Sequence, residues 1–362
     1  MAIEALMLQG LRNLAQVSIV PSSGVNLIYG LNGSGKTSLL ESIYYLAYCK
    51  SFRTHKHKNL IQHNQPQFTA FCKLHSGNSR HQLGIERTVK GERRIKLNGE
   101  WMQSAAELAQ LLPVQLLDPS MLKLLEGSPQ LRREYLDWGV FHVEHEFISL
   151  WRQFKKAHQT RNALLRSGGH CSEAERSIWH GSLSKLAGQL NVMRQEYIKR
   201  LKPCFDKYIE QLNPNLNVTM SFYQGWSKDR NYLDVLNESW ESDLKQGFTQ
   251  LGPQRADLRL KVNNQPAIEV LSRGQQKMVV CALKLAQAEI YQQQSSSPCI
   301  FLVDDLSAEL DINHRKALCT LLESLKCQVF VTAVEDTQMT DCWSVSSQIK
   351  KFHVEHGTLN QE

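Results

Sequence analysis

Hydrophobic positions recur in two rhythms along this 362-residue chain, and the changes of rhythm mark its parts. Residues 3–9 and 16–20 read as strands, and "GVNLIYG" at 24–30 as a short apolar strand ending on glycine. Directly afterwards, "KTSLLESIYYLAYC" places Leu39, Leu40, Ile43, Leu46 and Ala47 at helical spacing. From 67 to 98 apolar and polar residues alternate, with hairpin signals at Lys90-Gly91 and Asn98-Gly99, so a small antiparallel meander is expected. Residues 103–112 read as helix and "PVQLL" at 113–117 as a strand.

Between about 120 and 250 the character turns helical. Leu183, Leu186, Leu190, Met193, Tyr197 and Leu201 form a seam of three- and four-residue steps, a short coiled-coil contact too brief for an extended arm. "RSGGHCSE" at 166–173 reads as an exposed break, and "NLNVTMSFY" at 215–223 as a strand. After 250 the α/β rhythm returns. A hairpin is expected across "DLRLKVNNQPAIEV", around Asn263-Asn264, then a helix over 274–294 and a wholly apolar strand in "CIFLVDD". A helix capped by Asp311 and the buried strand "QVFVTAV" complete the pattern. The expected organisation is an α/β nucleotide lobe, 1–118 and 251–362, split by an inserted mainly helical lobe, 119–250.

Composition narrows the class. Hydrophobic residues at 42% and charged residues at 21% suit a soluble globular protein. No apolar run reaches the about 18 residues that span a bilayer, and "MAIEALMLQG" lacks the basic start of a secretion signal. Nine scattered cysteines without a CxxC pair fit a reduced, cytoplasmic setting better than a zinc site or a disulfide framework. A net charge of +7 permits a nucleic-acid partner without requiring one.

The chemistry begins at "GLNGSGKT", residues 30–37, a complete GxxxxGKT between strand and helix. Gly30, Gly33 and Gly35 let the backbone N–H groups turn inward towards phosphate oxygens, and the helix start adds field of the right sign. Lys36 is expected at the β- and γ-phosphates and Thr37 on Mg²⁺. Asn32, Ser34 and Ser38 complete the expected nucleotide contacts. Asp304 ends the apolar strand where open parallel sheets bind ligands, and is expected to hold Mg²⁺. Asp305 follows as the carboxylate for an attacking water. These elements lie far apart in sequence, and no NKxD base-reading motif is present, so a domain is inserted between them.

"LSRGQQK" at 271–277 opens a second helix, about 30 Å long, with the Ser272 hydroxyl and the bare Gly274 amide at its tip. One triphosphate is already enclosed by the first loop. The second helix end is therefore expected to serve the nucleotide of another subunit, the alternative being a plain helix cap.

Together "GLNGSGKT", "LSRGQQK" and "FLVDDLSAELD" resemble the heads of ABC-type and SMC-type ATPases, residues 271–275 matching LSxGQ and "SAELD" the loop that crosses the dimer interface. "LRNLAQVSIV", "LLDPSMLKLLEGSPQLRREYLDWGVFH" and "LGPQRADL" narrow the likeness to the bacterial RecF family over essentially the whole chain. The resemblance implies an ABC/SMC-like P-loop head with ATP and Mg²⁺ as cofactors and an ATP-dependent homodimer. It places Ser272, Gly274 and Gln275 on the opposite subunit's ATP and makes Gln115 the Q-loop glutamine. It further implies weak DNA-dependent ATP hydrolysis, recognition of gapped DNA, and RecO and RecR as partners in loading RecA. Asp305 stands where most ABC ATPases carry Glu, and Thr332 near where transporters carry a switch His, which suits a slow switch. The alternatives are the ATPase subunit of a membrane transporter, and a DNA-binding module with a vestigial nucleotide site.

Basic residues gather at 53–58, 90–96, 132–133, 152–161 and 199–202, with no helix-turn-helix or zinc-finger pattern. DNA recognition is therefore expected to rest on backbone and shape, with Arg53, Lys56, Arg152 and Lys155 as contacts. "HVEH" at 142–145 and again at 353–356 is read as surface histidine rather than metal ligand.

Overall fold

The computed structural model describes residues 1–77, 79–102, 104–344 and 347–361. Two compact units emerge, Met1–Met121 with Lys277–Glu362, and Leu122–Gln276. Both boundaries differ from the sequence reading, the second by the most. Residues after 250 stay with the helical unit because Asp257–Val262 pairs antiparallel with Thr219–Tyr223.

The first pass through unit one runs β1 (Ala2–Leu11), β2 (Leu14–Ile19), β3 (Val25–Tyr29), α1 (Lys36–Tyr48), β4 (Gln67–Ser76), β5 (Ser79–Thr88), β6 (Arg93–Leu97), β7 (Glu100–Met102), α2 (Ala105–Leu111) and β8 (Val114–Leu117). Position 103, where the sequence reading starts its helix, lies outside the described residues. The expected meander is larger than it looked. Strands β1 and β2 join it, giving a six-stranded antiparallel sheet ordered β2-β1-β4-β5-β6-β7.

Unit two contains α3 (Lys123–Glu126), α4 (Pro129–Val143), α5 (Phe147–Arg166), α6 (Glu173–Leu212), β9 (Thr219–Tyr223), α7 (Tyr232–Glu238), α8 (Trp240–Gln246), β10 (Asp257–Val262), β11 (Gln265–Pro266) and α9 (Ala267–Val270). Helix α6 is 40 residues long, with Ser172 and Glu175 closing a capping box at its start. Its buried line is Leu183, Ala187, Leu190, Arg194, Tyr197 and Leu201, so the seam of the sequence reading is off at Leu186 and Met193. Arg194 is tolerated in that line because Asp137 takes its fork at 2.8 and 2.9 Å. The hairpin around Asn263-Asn264 forms, with both asparagines at positive φ, but it stops after two residues. Pro266 has no N–H to continue the ladder, and the chain turns into α9.

The chain returns to unit one along α10 (Arg273–Ser295), then β12 (Ile300–Val303), α11 (Leu306–Glu309), α12 (Ile312–Ser324), β13 (Gln328–Ala333), α13 (Thr337–Thr340), β14 (Ile349–Glu355) and β15 (Thr358–Gln361). The second sheet is ordered β15-β14-β3-β13-β12-β8, parallel except for β15. Helix α1 packs between the two sheets and is buried nearly all round, as its Leu, Ile, Tyr and Ala content demands. Gln328, fully buried, imitates a strand partner: its side chain accepts from Ile3 N at 2.7 Å and donates to Ile3 O at 3.0 Å, tying the sheets together.

The two HVEH stretches correct a sequence reading. His145 and His356 are exposed, but His142 is half-buried beside Trp138 and Phe141, and burial lowers its pKa to about 3. His353 stacks on Tyr29. No cluster that could hold a metal occurs among the described residues.

Candidate nucleotide site

Parallel pairing of β3, β13 and β12 brings their carboxyl ends together, which is where open α/β sheets bind ligands. The glycine loop follows β3. Gly30 and Gly35 take φ of 145° and 125°, and each is hemmed in: a Cβ at Gly30 would sit 2.2 Å from Val354 O, and one at Gly35 2.7 Å from Leu14 Cδ2. Asn13 clamps the loop from the β1–β2 turn. Its Nδ2 donates to Gly33 O at 3.1 Å and Ser34 O at 2.9 Å, and its Oδ1 accepts from Ser38 Oγ at 3.1 Å.

Lys36 Nζ curls back over the loop, donating to Gly30 O at 2.7 Å and Leu31 O at 3.0 Å. Burial lowers its pKa, opposed by the carboxylates of Asp305 and Asp304. Across the cavity, Asp304 Oδ1 accepts from Thr37 Oγ1 at 3.0 Å and from Thr332 Oγ1 at 2.8 Å. The register Val303↔Val331 puts Thr332 beside Asp304, and the same hydroxyl accepts the Asp305 N–H at 2.8 Å. Burial raises the Asp304 pKa, the two hydroxyls oppose this, and Asp118 and Asp305 add to the rise. Asp305 adopts the left-handed conformation at φ 53°, which aspartate accepts more readily than most residues.

A second charged cluster forms the opposite wall. Glu41, wholly buried on α1, takes Arg12 in a bidentate pair at 2.5 and 2.8 Å, accepts from Ser51 Oγ, and faces Arg53 at 3.9 Å. Arg12, Asn13, Asn32, Lys36, Arg53 and Asp305 are among the residues lining a cavity of about 340 Å³.

The residues fit a magnesium–nucleotide. The glycine loop admits no Cβ where it bends, Ser34 Oγ is buried without a partner among the described residues, and Thr37 with Asp304 supplies the oxygen donors a hard cation takes.

The match to known proteins runs end to end. The model of the RecF/RecN/SMC N-terminal domain covers residues 2–360. The DNA replication and repair protein RecF of Stutzerimonas stutzeri (strain A1501) is 47% identical over 363 residues, spanning 100% of this chain and 98% of its own length. This chain belongs to the RecF family. RecF of Pseudomonas aeruginosa (strain LESB58) is 43% identical over the same shares. Among solved structures, the recombination mediator protein RecF with ATP, of the RecFOR pathway, superposes with a TM-score of 0.87 at 25% identity over 99% of this chain and 97% of that one. An Smc head bound to the C-terminal winged-helix domain of ScpA gives 0.62 at 16% over 100% and 97%, a likeness of fold.

Within this RecF-family frame, some expected residues converge and others do not. Asn32, Gly33, Gly35, Lys36, Thr37, Ser38, Asp304 and Asp305 line one cavity. Arg53, expected at DNA, is exposed and also lines this cavity. Gln115 stays away: it is buried inside the sheet, with Nε2 3.4 Å from Gln287 Oε1. Strand alternation turns it inward. In unit two, Ser272 and Gly274 are exposed, and Ser272 exchanges hydrogen bonds with Gln275 at 3.0 and 3.4 Å. Lys56, Arg152 and Lys155 are exposed. Arg12 and Asn13 were missed, although "LRNL" carried the family likeness. Arg12 takes φ 52° in the β1–β2 turn, a conformation that the sequence does not announce.

Proposed function

We propose that this chain is an ATP-gated DNA clamp of recombinational repair. In this reading Lys36, Arg12 and Arg53 hold the phosphates, while Thr37 and Asp304 hold magnesium. Magnesium held by these two side chains would supply charge neutralisation at the phosphates. Thr332 fixes the Asp304 carboxylate and the Asp305 backbone, and the Asp305 carboxylate orients water from a short side chain, so hydrolysis is slow and weakly DNA-dependent. Ser272 and Gly274 of one copy engage the nucleotide of a second copy. The closed pair binds gapped DNA and, with RecO and RecR, assists RecA loading in the cytoplasm.

The observation that carries this reading is the Thr37–Asp304 contact at the end of the glycine loop, in a chain related throughout its length to RecF proteins. The relatives and structures found are repair and SMC proteins, so the transporter alternative is set aside. Among the described residues no helix is long and apolar enough to cross a membrane.

Sedimentation with Mg²⁺ and ATP, ADP or no nucleotide is the test. Pairing is expected with ATP only. Lys36→Met abolishes nucleotide binding, and Ser272→Arg binds ATP yet stays single. A Ser272→Arg protein that pairs like the parent refutes the shared site.

A further inference from the structure

The antiparallel sheet of unit one turns one face to α1 and the other to solvent. Register places Ser18, Met7, Phe71, Gly84, Lys96 and Trp101 in a single row across that outer face, one residue from each strand in the order β2-β1-β4-β5-β6-β7. Their neighbours along the strands, Leu6, Cys72, Leu83 and Ile95 among them, point to the core. The row is apolar in the open. Trp101 is 64% and Met7 45% exposed, Phe71 is half-buried, and Gly84 puts no side chain beside the Phe71 ring, where a Cβ would lie 3.7 Å from Cδ2. Lys96 Nζ lies 4.4 Å from the Trp101 ring centre.

Within the row itself the one charged residue is Lys96, and the carboxylates nearby face arginines, Arg94 being shared by Glu86 and Glu92. Glu86 is held by Arg94 at 3.5 Å, and Glu4 by Arg80 at 3.5 Å. Lys73, exposed one step along β4 from Phe71, and Lys96 have no ion pair among the described residues. Glu100 projects from the opposite side of β7 to Trp101. At about 4.8 Å per strand, Met7 to Trp101 spans roughly 19 Å. That is room for about four nucleotides, the low end for sheet-based single-strand binders.

We infer that this outer face binds single-stranded nucleic acid, with bases stacking on Trp101 and Phe71 and phosphates meeting Lys73 and Lys96. An exposed indole and a half-buried phenyl ring, beside two lysines outside any ion pair among the described residues, provide the two contacts a single strand takes without sequence preference. The inference deepens the reading above, since a gap offers a single strand next to its duplex.

The test is binding of a labelled oligothymidylate of about fifteen nucleotides, the upper site size of such surfaces, beside a blunt duplex, for the full-length protein with ATP. Trp101→Ala is expected to weaken oligothymidylate binding about five- to hundredfold, to leave duplex affinity unchanged, and to be rescued by Trp101→Phe. Lys73→Ala with Lys96→Ala lowers the log–log salt slope by about 1.4. A bromodeoxyuridine strand crosslinks to the peptide carrying Trp101. Unchanged oligothymidylate affinity in Trp101→Ala overturns the inference and leaves the row as a surface for a protein partner. Equal loss of duplex binding overturns it as well. A parent protein that binds duplex but no single strand sinks this inference alone, whereas one that binds neither also sinks the clamp reading.

Discussion

Replacing Thr332 by valine isolates the hydroxyl that joins the two aspartates. The side chain is 1% exposed, donates to Asp304 Oδ1 at 2.8 Å and accepts Asp305 N–H at 2.8 Å. Valine keeps the shape and removes both bonds. A hydrogen bond to a charged group contributes about 1.5–3 kcal/mol, and a stranded, partly buried N–H costs about 1–2 kcal/mol. The extra methyl returns about 0.8 kcal/mol. The nucleotide-free protein is thus expected to lose about 2–4 kcal/mol, read as a lower urea midpoint at unchanged slope. The Asp304 pKa, already raised by burial, moves further up when a donor to its charged form is removed, so more Mg²⁺ is needed to support ATP binding. Thr332→Ser keeps the hydroxyl and stays within about 1 kcal/mol of the parent. If valine and serine variants behave alike in both assays, the relay has no energetic role.

Three other perturbations probe separate parts. For Asp304→Asn the sign follows from burial: the folded state binds the Asp304 proton more tightly than the unfolded chain, so the parent loses stability as pH rises through the folded value. The nucleotide-free asparagine variant is then more stable than the parent near neutrality, the gap closing below the usual aspartate range, while Mg²⁺-dependent ATP binding is lost; urea midpoints across pH settle it. Arg53→Ala is expected to weaken ATP about tenfold and to leave nucleotide-free DNA binding unchanged, by equilibrium titration of each. Arg161→Met leaves the buried Asp243 carboxylate without its cation at 2.8 Å, although Ser239 and Gln250 still donate to it, and costs the helical unit about 3–5 kcal/mol in urea unfolding.

What could be read from the chain was whatever is decided locally. Glycines at 30, 33 and 35 demand a bend, and the change from strand to helix rhythm on either side fixes its direction, so Lys36, Thr37 and Asp304 fell into place. Asn13 clamps the loop across a turn about twenty residues earlier, a contact created by tertiary packing with no periodic trace. Arg53 shows the ambiguity of charge: a guanidinium in a basic stretch looks the same whether it meets DNA or a nucleotide, and its place beside the buried Glu41 comes from tertiary packing alone. Gln115 lies on a strand buried on both faces, so alternation alone does not tell whether it meets a nucleotide or, as here, Gln287 at 3.4 Å. The 349–361 hairpin escaped notice because its alternation is short and its outer positions polar.

The signature segment is where local and intermolecular physics compete. Ser272 and Gln275 satisfy each other, an ordinary capping box, with both bonds in reach of water. Exchanging one of them for an anionic acceptor gives up about 1 kcal/mol and gains a charge-assisted bond of roughly twice that strength. The surplus at each site is small, so neither loop alone holds two copies together. In the proposed pair, two equivalent sites would double it, and loss of the γ-phosphate would remove it from both. A joint made of such increments would close and open with the nucleotide, as the proposed clamp requires, whereas one that depended on burying Leu271 or Gln276, already packed within their own unit, would not respond to it.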